Sequence, residues 1–135
     1  MTNDTVSFAM RAGAKLRPQG YNKLFSSLFG EFHSCAIAAV CEYRGAIPDE
    51  RFSFQDLSNY VQFDPSPIDN PITDVTNVPA NLYEVITIMN DALSWSRNRI
   101  ADFVESVEDK TEFVITDDED AQIKMHFANW GYRLT

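Results

Sequence analysis

Apolar residues recur at helical spacing along most of this chain, and the interruptions between the stripes mark its elements. From Thr5 to Leu16, Phe8, Ala9, Ala12 and Leu16 fall three or four residues apart, Thr5 is a capping residue, and Pro18 turns the chain out of helical geometry. Gly13 weakens that first helix. Leu24, Phe25, Leu28 and Phe29 predict a short apolar helix or turn ended by Gly30. The segment "SCAIAAVCEYRG" follows, with Ser34 as cap and Gly45 as terminator. Its body is small and apolar on nearly every face, as a central buried helix requires.

"SFQDLSNYV", residues 53 to 61, predicts another short helix through Phe54, Leu57 and Tyr60 or Val61. Pro65, Pro67, Pro71 and Pro79 make the stretch 62–79 an irregular loop, long enough to carry function. Helix resumes near Pro79, where Leu82, Val85, Ile86, Met89 and Leu93 form one stripe, and Ile100, Phe103, Val104 and Val107 form the next. In the last quarter "TEFVI" has strand character, and Ile123, Met125 and Phe127 alternate with Gln122, Lys124 and His126. That alternation favours a hairpin around "TDDEDA" over a terminal helix. The fold class expected is mainly α: one compact helical domain over 1–135, of about five helices, with a small C-terminal β-hairpin.

Composition narrows the setting. An apolar fraction of 44% over 135 residues supports a real core and a single domain. The formal charge is −9, and all of it lies late: residues 1–50 hold five Lys/Arg against five Asp/Glu, residues 51–135 six against fifteen. A field of that sign repels phosphate backbones and anionic membranes, so a protein with a basic surface is the favoured partner. The longest apolar run, "CAIAAVC", is too short to cross a bilayer, and "MTNDTVSFAMRAGAKLRP" has no signal-peptide pattern. A cytoplasmic protein is expected. Cys35 and Cys41, six residues apart, match neither a zinc or redox spacing nor a secreted disulfide framework, and read as reduced, buried thiols.

The stretch "MNDALSWSRNRIADFVESVE", residues 89 to 108, concentrates the chemistry. With Ser96 as cap, Trp95 precedes it and Ile100 is the fourth helical position, a hydrophobic staple. Asn90 and Asp91 close the preceding helix, which makes the pair a helical hairpin or helix-turn-helix. Arg97, Asn98 and Arg99 suit base edges at the start of a recognition helix, but Asp102, Glu105, Glu108 and Asp109 on the same exposed helix oppose phosphates. Arg97 and Arg99 are therefore expected on the surface, pairing with neighbouring acids or facing a protein partner.

"IMNDALSWSRNRIADFVESVE" resembles a block of the form "LNDxHxWTRExIADWV" in small uncharacterised proteins of tailed phages and prophages. "MRAGAKLRPQGYNKLF" followed by "SCAIAAVCEYRG" is similar to the opening block of the same proteins, so the resemblance covers roughly half of the chain. Leu93 stands in place of the histidine and Phe103 in place of a tryptophan; Asn98 and Arg99 replace the Glu and Gln that would complete a capping box. The loop 62–79 lacks the cysteine pair of some relatives. The resemblance implies a phage setting and a mostly helical fold, with no assigned reaction.

Two chemistries compete with simple binding. Cys35 at a helix start, with His33 two residues away and His126 as a base, is a candidate thiol nucleophile. The acid-rich stretch holding Asp117, Asp118, Glu119 and Asp120 is a candidate cation site, although it lacks the glycine and spacing of a calcium loop. No cofactor is called for. The leading expectation is a non-enzymatic phage-encoded protein that binds a basic host protein in the host cytoplasm, as inhibitor or adaptor, with carboxylates standing where phosphates would in a nucleic acid. Its partner-facing residues would be Arg97, Arg99, Asp102, Glu105, Glu108, Asp109 and Asp117 to Asp120. A phage assembly accessory and a small enzyme are the alternatives, and the aromatic content is compatible with a homodimer.

Overall fold

The structure, a computed structural model, describes residues 5–128; residues 1–4 and 129–135 of the expected single domain lie outside the described residues. Among the described residues about 49% are helical, in seven α-helices and one π-helical segment, with one two-stranded antiparallel sheet. The mainly helical class holds, with more and shorter helices than the stripes predict. No helix among the described residues is long and apolar enough to cross a membrane.

Helix α1 (Val6–Ala14) starts where Thr5 accepts a hydrogen bond from the Phe8 amide. Helix α2 (Ala36–Tyr43) is the buried centre, with Ala36, Ala38, Ala39, Val40 and Cys41 shielded from solvent. The Ser34 cap is corrected: Ser34 is the last residue of a strand, its amide bonded to the Pro18 carbonyl and its carbonyl to the Gly20 amide. Cys35 caps α2 instead, its sulfur accepting from the Ala38 amide at 3.4 Å.

Strands β1 (Phe25–Leu28) and β2 (Glu31–Ser34) form a hairpin where the sequence predicts a short apolar helix or turn. Phe29 (φ 53°) and Gly30 (φ 78°) are both left-handed, the backbone of a tight two-residue hairpin turn. The helical spacing misleads because only Phe25 of that stripe is buried; Phe29 is 98% exposed. The loop 62–79 is also not wholly irregular. After the short α3 (Phe54–Leu57), capped by Ser53, it carries α4 (Pro71–Thr76), with Asn70 capping and Pro71 in the first turn.

Helix α5 (Leu82–Thr87) starts beyond Pro79, at an Asn81–Glu84 capping box, and continues as a π-helical segment over Ile88–Ala92. Helix α6 (Arg97–Asp109) begins at Ser96, as the sequence predicts. Trp95 and Ile100 both join the core cluster, but α6 packs on α1 and meets the chain before it through the π segment rather than lying along α5 as a hairpin.

The C-terminal hairpin is corrected to a helix, α7 (Asp117–His126). Thr116 and Glu119 form a reciprocal capping box, and four acids in the first turn complement the helix dipole, so "TDDEDA" is a helix start. Ile123 and Phe127, four apart, point inward, while Met125 is 81% exposed and breaks the apparent alternation. "TEFVI" has no regular secondary structure and pairs with no strand among the described residues.

Gly13 permits the α1–α2 contact: a Cβ there would lie 1.9 Å from the Ala39 carbonyl oxygen, on rigid backbone. Gly13→Ala is expected to lower unfolding stability by about 2 kcal/mol or more, through overpacking. Chemical denaturation checks this, and an unchanged midpoint would contradict the packing described.

Candidate functional site

Loop 14–22, β2, the start of α2 and the π segment meet at a buried polar knot. Its centre is Asn90, 1% exposed and fully bonded. Its Oδ1 accepts from the Gln19 Nε2 at 2.9 Å and from the Ala36 amide at 3.1 Å, and its Nδ2 donates to the Gly20 carbonyl and to Asp91 Oδ1. Asp91 Oδ1 also accepts from the Asn22 amide, and Gln19 donates onward to the Trp95 carbonyl. The π segment lets neighbouring Met89 and Asn90 both be buried, one for the apolar core and one for the knot.

Arg97 is the second member and corrects its expected place on the surface. It is 7% exposed, and its guanidinium donates to Ser34 Oγ at 2.8 Å and to the carbonyls of Ser34, Ala14 and Arg17. These acceptors carry no formal charge, and burial pulls the guanidinium below its usual pKa. The fork geometry of Arg fits this site: several carbonyls on different segments are held by one rigid plane. Sequence reading missed Gln19 and Asn90 as organisers; the run "MND" marks the place but not its direction of burial. Residues 10–25, 34–45 and 88–108 all contribute to the knot.

Arg99 is also turned inward in part. It forms a bidentate pair with Glu119 (2.7 and 2.8 Å), donates to the Val114 carbonyl, and stacks 4.4 Å from the Phe113 ring centre. This contact fastens α7 to α6, helped by the Trp95 indole donating to Gln122. The Arg99 hydrogen bond holds the Glu119 carboxyl below its ordinary value of 4.5.

The predicted acids divide. Asp102 and Glu105 both hold Arg11 at 2.7 Å. Glu108 accepts from the Val6 and Ser7 amides and the Ser7 hydroxyl, capping α1 from outside. Asp120 pairs with Lys124 one turn on. Asp109, Asp117 and Asp118 are exposed and make no ion pair among the described residues.

Cys35 and Cys41 are free and buried, and the geometry lends the thiol-nucleophile candidate no support. Cys35 borders a small cavity of about 210 Å³ with Ala36, Tyr83, Asn90 and Asp91, but burial pushes its pKa up to about 11. A thiol so placed favours its protonated form at neutral pH, the less reactive one. No hydrogen bond joins it to His33 among the described residues; His33 Nε2 lies 3.9 Å from Glu31, and His126 stacks on Phe127. No group of three or more His, Cys, Asp or Glu side chains among the described residues is arranged to hold a metal ion.

Arg97→Met strands buried carbonyls and should cost about 3 kcal/mol, whereas a surface arginine would cost within about 0.5. Denaturant midpoints for Arg97→Met, with Asn90→Ala expected to lose a similar amount, decide between the two placements. Glu119 has a depressed pKa, so its contribution is present above pH about 4.5 and fades as pH falls through its lower folded value. The acid limb of a stability–pH profile should therefore flatten in Glu119→Gln; an unchanged limb would rule out the pair as a source of acid sensitivity. Comparison of the chain with known protein families, with curated proteins and with solved structures gives no match, so function is argued from the site itself.

Proposed function

We propose that the protein is a non-enzymatic binding protein of a phage-infected cell, acting in the host cytoplasm on a host protein with a basic surface, as an inhibitor or adaptor. One observation carries the reading: among the described residues, most cations are engaged within the molecule while a set of acids is not. Arg11, Arg17, Arg51, Arg99, Lys23 and Lys124 pair with acids, and Arg97 and Arg44 donate to backbone carbonyls. Only Lys15 and Lys110, among the described residues, keep their charge outside such contacts. The outward field is therefore set by exposed carboxylates, Asp109, Asp117 and Asp118 with Asp69, Asp74 and Glu112.

Such a surface attracts a basic cleft and repels nucleic acid, and carboxylates spaced along it replace phosphates in the eyes of a partner. The buried Cys35 thiol, with no hydrogen bond to His33 among the described residues, disfavours the thiol form of the enzyme alternative. Affinity purification from host lysate at low and high salt tests the proposal. The unaltered protein should retain a basic protein that salt releases, and Asp109→Asn, Asp117→Asn and Asp118→Asn combined with Asp69→Asn, Asp74→Asn and Glu112→Gln should reduce its recovery several-fold. Equal recovery by both, or none by either, would sink it.

A further inference from the structure

Between the start of α4 and the end of α6 runs an open cleft of about 670 Å³. Its apolar lining includes Phe103, Val107 and Phe113, side chains continuous with the core cluster. Asp69, Asp74 and Glu112 also line it, all exposed and without ion pairs among the described residues. One cation, Lys110, stands against these three carboxylates, at the left-handed C-cap of α6.

We propose that this cleft docks a short segment of a partner protein in which an arginine or lysine stands beside an apolar side chain. The inference rests on the acidic-binding reading above and places its anchor point. A long basic side chain lays its aliphatic stem on apolar surface and keeps its charged head among carboxylates, which is the layout of this cleft. The molecule already uses the same chemistry internally: Arg99 lies over Phe113 while its guanidinium grips Glu119. The loop 62–79, which brings Asp69 and Asp74 to the cleft, thereby acquires a role its proline content alone does not explain. A nucleic acid is repelled by the same three carboxylates.

A fluorescein-labelled peptide of alternating arginine and leucine is the probe, with a glutamate–leucine peptide as control. At low salt the full chain should bind the first and not the second. Asp69→Asn with Asp74→Asn and Glu112→Gln should weaken binding by about tenfold, and the Asp109, Asp117, Asp118 triple variant by less than about threefold. Amide chemical-shift changes in the unaltered protein should centre on residues 103–115, which keeps the test valid if a variant folds poorly. The reverse pattern, loss with the outer triple variant and shifts centred on residues 117–126, overturns the cleft while sparing the acidic-binding reading. Equal binding of both peptides, or of neither, overturns both.

Discussion

Everything in this fold turns on the need to satisfy buried polar backbone where four segments cross. Loop 14–22, β2, the start of α2 and the π segment before α6 all bring amides or carbonyls into the interior, and an unpaired group there costs about 1–3 kcal/mol. Asn90 and Arg97 meet that demand from the two ends of one short connection. Once they are in place, the direction of α6 onto α1 is fixed, and the close approach of α1 to α2 at Gly13 completes the core. The second layer follows: α7 is tied back to α6 through Arg99, Glu119, Trp95 and Gln122.

The same logic explains what the sequence disclosed. The first helix, the buried centre "AIAAVC", the cap at Ser96 and the burial of Trp95 were legible because each rests on a local rule of spacing or capping. The β-hairpin escaped because Leu24, Phe25, Leu28 and Phe29 imitate a helix stripe, although the turn is made by left-handed Phe29 and Gly30. Helix α7 escaped because its first turn is almost entirely acidic and Met125 feigns a strand alternation; the Thr116–Glu119 box was the available signal. Arg97 escaped for a deeper reason. Its acceptors are backbone carbonyls far away in sequence, and no side-chain pattern announces them.

Charge shows the same division between inside and outside. A net −9 invites the view that the whole acidic stretch after residue 105 is a solvated face. In the fold Glu108 and Glu119 act inside the molecule, as a cap and as a clamp, and Asp102 and Glu105 share Arg11. The exposed acids without ion pairs among the described residues instead include Asp109, Glu112, Asp117 and Asp118 together with Asp69 and Asp74 of the proline-rich stretch. The proposed function depends on that redistribution more than on the total charge.

Native-state hydrogen exchange of the Ala36 amide, which donates to Asn90 Oδ1, tests the central role of the knot most directly. The account predicts that Ala36 and the neighbouring Ser34 amide exchange only with global unfolding, with the same opening free energy as the interior amides of α2. Exchange of Ala36 at rates typical of a loop, while α2 stays protected, would show that the fold stands without the knot.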